Sequence, residues 1–492
     1  MMRDERKRFL IKPFLILFLI YLIGISAIIL SNTQYADDAA RTNYGYAGWS
    51  AFSRYLSTIL SHGLHADNYL TNIAPLPQIL AAAILAVSSM IVIITVSGRE
   101  IFEEKWTKWI FSVVAVVPLG LCPYMLECLS YQYDAVYMGL SVFFAVMPLL
   151  FREKSPWLYG LMLMVGVLGV CMTYQVSIGI LPMLVVYVAM KNWSERKDNL
   201  RFVLISLGVF VVTLLIFQKV LMAPKDVYVS NEIPGISEFF PALFAHLSHY
   251  FELLFSDFKI LWLVLIGIMM VGFVVALFKE SKRNKILTVL IGMAGVCAMG
   301  MMSFLLYSAL ETPLYTTRAM YAVGAFIAIM GVYIARKKSV FVGAAAVLSW
   351  CFFVFAFTYG NALGAQKNYR DMVVNMAISD VNEILPKLGA GEKYIQTTGQ
   401  IDFAPAVKHM PEKDFDLVRR LLKPSFGSDV YWMAYRLTEA SGVPGLKFDQ
   451  NINLLEKNLP ILKETVLYII YGDTEGILVD FKGVSFSEVV NE

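Results

Sequence analysis

From residue 10 to about residue 358 the chain is built of long apolar blocks joined by polar connections of uneven length. Blocks near 10–31, 77–97, 107–126, 135–151, 157–173, 176–190, 201–218, 258–278, 286–308, 319–335 and 339–358 read as helices able to cross the roughly 30 Å hydrocarbon core of a bilayer. The pattern predicts an α-helical polytopic membrane protein with about 11 transmembrane helices over residues 1–358. Arg3, Arg6, Lys7 and Arg8 precede the first block as in a signal peptide. That block is too long for a signal-peptide core and no A-x-A site follows, so it reads as a retained helix. After residue 358 the material changes. Residues 359–492 are rich in charge, with a helical pattern over Arg370–Leu385 and strand patterns over Lys393–Thr398 and Val466–Tyr471, which predicts a small C-terminal α/β domain.

Composition agrees with this reading. Hydrophobic residues make up 58% of the 492 and charged residues only 16%, against about a quarter charged in soluble domains. Disordered, fibrous and disulfide-framework proteins are excluded by the same figures. The five cysteines lie in or beside apolar blocks and read as small buried hydrophobes. Sidedness comes from the cations. Alternate connections (1–9, 98–108, 152–156, 191–201, 279–285, 336–338) hold 20 Lys and Arg, while the others (31–76, 127–134, 174–175, 219–257, 309–318) hold 5. By the positive-inside rule the N-terminus is cytoplasmic, and with an odd number of spans residues 359–492 lie outside.

Strongly polar residues concentrate near the outer ends of the predicted helices, and the inner parts are nearly free of ionisable groups, with no broken helix near the midplane. Intramembrane charge is costly and therefore informative. Candidate chemistry thus faces outward at head-group level. The loop 31–76 is the richest segment. There Asp37, Asp38 and Arg41 stand at helical i, i+3 and i+4 spacing, so both carboxylates can neighbour the guanidinium. Trp49, Phe52, Leu56, Ile59 and Leu60 form an apolar stripe typical of a helix lying in the interface. The loop 219–257 repeats the device with Phe240, Leu243, Phe244, Leu247, Phe251 and Leu254. Plainer readings stand beside these: an acid pair followed by Arg is often a solvated helix start, Tyr174 an interface anchor, and Arg318 a snorkelling side chain. The spacings His62/His65 and His246/His249 resemble metal ligands but lack the Glu of a zincin helix.

Several segments together resemble the Gtr type II glucosyltransferases, bacterial and phage enzymes that glucosylate O-antigens and related cell-surface polysaccharides. The resemblance rests on Asp37-Asp38-x-x-Arg41 with Gly45-Tyr46-Ala47-Gly48-Trp49 and Arg54, and on Pro123 to Glu127 with Ser130 to Asp134. Tyr174-Gln175 and Thr317-Arg318-Ala319-Met320 complete it, in order over residues ~30–335. Ser53 and Gln132 depart from the family pattern, where Gly and Arg are usual.

The resemblance implies a GT-C transferase taking a hexose, glucose by analogy, from a polyprenyl-phosphate donor lipid to a hydroxyl of a glycan acceptor. The setting implied is the outer face of the cytoplasmic (inner) membrane of a bacterium. A positioned carboxylate would take the acceptor proton, and Arg would stabilise the departing phosphate. The roles implied are Asp37 or Asp38 as base, Arg41, Arg54 and Arg318 as donor-phosphate ligands, and Asp134, Gln175, Tyr174 and Trp49 around the sugar. No cofactor, metal site or nucleic-acid partner is expected, with a divalent cation left open. The competing readings are a lipid-linked glycan transporter or flippase, which needs a polar path through the bilayer, and a non-catalytic glycan-binding accessory protein.

Overall fold

The computed structural model describes residues 2–222, 232–337, 340–422, 442–449 and 452–482, so part of the 219–257 loop lies outside the described residues. Two compact units emerge: Met1–Ile29 with Tyr46–Thr358, and Leu30–Gly45 with Tyr359–Glu492.

The first unit is helical. Each of the eleven apolar blocks carries helix, but they differ in reach. Among the described residues, seven helices are long and apolar enough to cross a membrane: Leu76–Ser97, Pro156–Thr173, Gln175–Ser194, Leu200–Leu221, Ile260–Glu280, Lys285–Met302 and Val342–Leu388, the last running into the second unit. An eighth candidate is a bent pair, Trp106–Leu121 and Pro123–Ser130, turned by 58°. Leu10–Gly24, Ala135–Phe151 and Ala322–Arg336 are apolar but shorter. Among the described residues, length and composition thus qualify seven or eight of the eleven blocks as crossings.

The bend falls near the end of the 107–126 block and divides one expected helix into two. Pro123 has no N–H to continue the ladder, and Pro123–Ser130 is buried along its whole length. Irregular backbone at membrane depth is tolerated where protein rather than lipid surrounds it.

Ala322–Arg336 is enclosed on all sides, with Ala322 through Ala335 all buried. An all-round apolar helix belongs in such a place. Small residues let neighbours approach closely: a Cβ on Gly324 would lie 2.3 Å from the Pro118 carbonyl oxygen. Outer helices show the opposite. Leu204, Leu207, Val212 and Leu215 on Leu200–Ile216 are exposed, as are Ile260, Val264 and Val271 on Ile260–Glu280. Large apolar surfaces of this kind mark contact with lipid or another protein.

The second unit holds a five-stranded mixed sheet: β1 (Lys393–Gln400), β2 (Leu446–Lys447), β3 (Ile461–Glu464), β4 (Tyr468–Gly472) and β5 (Gly476–Lys482), in the order β2-β1-β5-β4-β3. β1 runs parallel to β2 and β5, while β3, β4 and β5 form an antiparallel meander. Val373, Ala377, Val381 and Ile384 recur at helical spacing on Val342–Ile384 and pack on Ile395, Ile470, Ile477, Val479 and Phe481. Both strands expected from the sequence are present.

Candidate active site

The acid pair begins the short helix Asp38–Tyr44, which Gly45 ends in a left-handed conformation. Carboxylates at a helix start are favoured by its dipole. The two acids then diverge. Asp38 is fully buried, and its Oδ2 accepts the Tyr35 backbone N–H at 2.9 Å. The Asp37 side chain is 47% exposed, with its Oδ2 3.8 Å from Nη2 of the buried Arg41. The i,i+4 pairing expected of Asp37 is thus present, whereas Asp38 turns back to close the preceding loop. Asp37, Asp38 and Arg41 belong to the second unit, where the Tyr35 hydroxyl donates to the Leu421 carbonyl.

The other candidates lie in the first unit. Trp49 does not join an interfacial stripe. The Trp49–Phe52 turn is flanked by left-handed Gly48 and Ser53, which separates it from the helix Tyr55–His65. Trp49 is consequently buried, its Nε1 donates to Oδ1 of Asp134, and its ring meets Tyr137 edge-on at 5.1 Å. On Tyr55–His65, Ile59 and Leu60 do face outward, with Ser57 and Ser61 turned in. In Ile236–Asp257, Phe240 and Phe244 are exposed while Leu247 and Leu254 are buried, so the second stripe is divided between two surroundings.

Arg54 and the Tyr174-Gln175 hairpin, far apart in sequence, meet. Arg54 Nε donates to Gln175 Oε1 at 3.2 Å, and the guanidinium stands 4.6 Å from the Tyr174 ring centre. Gln175 Nε2 in turn donates to the Phe52 carbonyl at 3.0 Å. The amide and the ring hold the cation by complementary means, a hydrogen bond and a cation–π contact.

Arg318 is anchored rather than snorkelling. Its backbone N–H donates to Glu127 Oε2 at 2.6 Å, the Thr317 hydroxyl donates to the same oxygen, and the guanidinium donates to the Tyr131 hydroxyl. Glu127 is fully buried on the half-helix after the bend. Sequence reasoning placed Glu127, Tyr131 and Thr317 within the motifs that carry the resemblance but gave none of them a role. The available signal was a carboxylate ending an apolar segment opened by Pro123, since a buried acid needs partners. Among the described residues, no three His, Cys, Asp or Glu side chains are grouped as metal ligands.

Chemically, the first unit offers the Arg54 and Arg318 guanidiniums held by their neighbours, and the second, by itself, sets the half-exposed Asp37 carboxylate beside the buried Arg41 guanidinium. Such a set suits substrates that carry phosphate and lose a proton. An apolar helical protein with that polar complement fits a membrane transferase. The family model described as Glucosyl transferase GtrII matches residues 26–330, and the chain belongs to that family. It is also similar to the uncharacterized 55.3 kDa protein in the gtrB 5' region of Salmonella phage P22, at 27% identity over 139 residues. That similarity spans 28% of this chain and 26% of the phage protein. No solved structure matches the chain.

Proposed function

We propose that this protein is an inverting glycosyltransferase that moves a hexose, glucose in the first instance, from a polyprenyl-phosphate carrier to a hydroxyl of a cell-surface glycan. The setting is the outer face of a bacterial cytoplasmic membrane. The observation that carries the reading is the Asp37–Arg41 pair within the family-matched segment, a half-exposed carboxylate held 3.8 Å from a buried guanidinium. Asp37 takes the acceptor proton as the acceptor oxygen bonds to the anomeric carbon and the carrier phosphate leaves with the bonding electrons. One displacement inverts that carbon. Asp38, engaged with the Tyr35 backbone, shapes the loop. Arg41, Arg54 and Arg318 serve the phosphate, since a guanidinium fork matches its oxygens. Asp134, Gln175, Tyr174 and Trp49 serve the sugar side. Incubating purified protein with polyprenyl-phosphate glucose and membranes tests this: release of polyprenyl phosphate with label in glycan supports it. Donor binding without release would favour a transporter or an accessory protein.

A further inference from the structure

A second polar site lies in the first unit, at the far end of the helical segment that Asp134 precedes. A cleft of 510 Å³ opens where Leu76–Ser97 ends, bounded by the segments around Arg99, Arg152 and Arg336. Asp134 precedes the helix Ala135–Val146, whose continuation reaches Leu149 and Leu150 on the cleft wall. At 1.5 Å per residue, these points are roughly 24 Å apart. The three segments belong to the Lys- and Arg-rich set of connections.

Two features say that something polar occupies the cleft. Thr95 and Ser97 line it with buried hydroxyl oxygens that have no hydrogen-bond partner, and buried polar groups are ordinarily satisfied. The guanidiniums are also only partly used. Arg336 gives Nη1 to the Val96 carbonyl at 3.1 Å, Arg152 gives Nη1 to the Thr95 carbonyl at 3.2 Å, and Arg99 donates to the Leu150 carbonyl. Each guanidinium has five N–H donors. Of the three carboxylates on the wall, Glu104 is paired with Lys108 at 2.6 Å and Glu153 with Arg152 at 3.3 Å, while Glu100 lines the same cleft as Arg99 and Arg336. Exposed Trp106 and Trp157 follow the cleft segments in sequence, and Trp favours the head-group level of a bilayer.

We propose that this cleft binds a phosphate-bearing anion, with Arg99, Arg152 and Arg336 on the phosphate oxygens and the Thr95 and Ser97 hydroxyls as further donors. The flanking tryptophans favour the head group of an anionic membrane lipid as its source, because basic pockets at the ends of membrane helices suit such head groups. The site is independent of the transferase reading.

The test uses the full chain in nanodiscs of phosphatidylcholine, with phosphatidylglycerol titrated in and retention followed by native mass spectrometry. Wild type should retain phosphatidylglycerol selectively. Arg99→Gln, at an exposed position, should weaken that retention by about fivefold. Thr95→Val, which keeps the shape and removes the hydroxyl, should weaken it less. Inorganic phosphate that binds wild type alone, and is lost with the same variants, would keep the site and assign it to the free ion. Equal phosphatidylglycerol retention by wild type and both variants, with no phosphate binding, overturns the proposal.

Discussion

The two aspartates differ by what each already touches, and that difference makes them separable by substitution. Asp37→Asn keeps size and hydrogen-bonding capacity but cannot accept a proton, so transfer should fall by about 10²-fold or more while donor binding persists. Asp38→Asn retains an oxygen able to accept the Tyr35 N–H and should reduce transfer much less. Polyprenyl-phosphate release by both variants checks the order, and full activity in Asp37→Asn removes it as base. Glu127 poses a different question, because it holds the Arg318 backbone and the Thr317 hydroxyl on one buried oxygen. Glu127→Gln risks presenting N–H where an acceptor is needed, a loss of about 1–3 kcal/mol. If Arg318 serves the donor, KM for the donor should rise in Glu127→Gln together with a lower unfolding temperature. A lowered unfolding temperature with unchanged KM would leave Glu127 a purely structural partner. The Asp37–Arg41 contact could be read from spacing alone because four residues make one helical turn. Arg54 with Gln175, and Trp49 with Asp134, join positions far apart in the chain, and no local pattern carries that information.

At the scale of elements, apolar composition over fifteen to twenty residues is a local property, which is why every apolar block emerged as helix. Where a block breaks is not decided by hydropathy. Pro123 opens a new helix inside one block, and left-handed Ser53 cuts the expected interfacial stripe in two. Close packing can be tested with a matched pair of glycines. Gly324→Ala drives a methyl to 2.3 Å from the Pro118 carbonyl oxygen, whereas a Cβ at Gly343 meets nothing within 4 Å. Overpacking of the first kind typically costs about 1–3 kcal/mol. Gly343→Ala should be neutral or stabilising by up to about 1 kcal/mol, since Ala is the better helix former. Thermal unfolding in one detergent compares the two, and equal effects would mean that Ala322–Arg336 does not pack as tightly as described.

For the molecule as a whole, the sidedness of the membrane fixes what each unit can meet. An outward C-terminal unit follows from the 20-to-5 cation bias together with an odd number of crossings. Among the described residues seven helices qualify as crossings outright, the bent pair makes an eighth and three apolar helices are shorter, so parity turns on which of these last four cross. The bias itself rests on connections that lie close to helix ends, where the positive-inside rule holds best, and the 14 Lys and Arg after residue 358 count little in a long domain. A direct measurement replaces the counting. Val466 sits between β3 and β4, 89% exposed, where a cysteine would disturb no packing. Among the native cysteines, Cys122, Cys128 and Cys171 are buried, and the unsubstituted chain supplies the background for Cys297 and Cys351. Val466→Cys should react with a membrane-impermeant maleimide in intact spheroplasts as fully as after lysis. Labelling only after lysis would place the C-terminal unit in the cytoplasm. Because Leu30–Gly45 belongs to that same unit, the result would carry Asp37 and Arg41 with it. A carrier-lipid reaction on the outer face would then lose its proposed base.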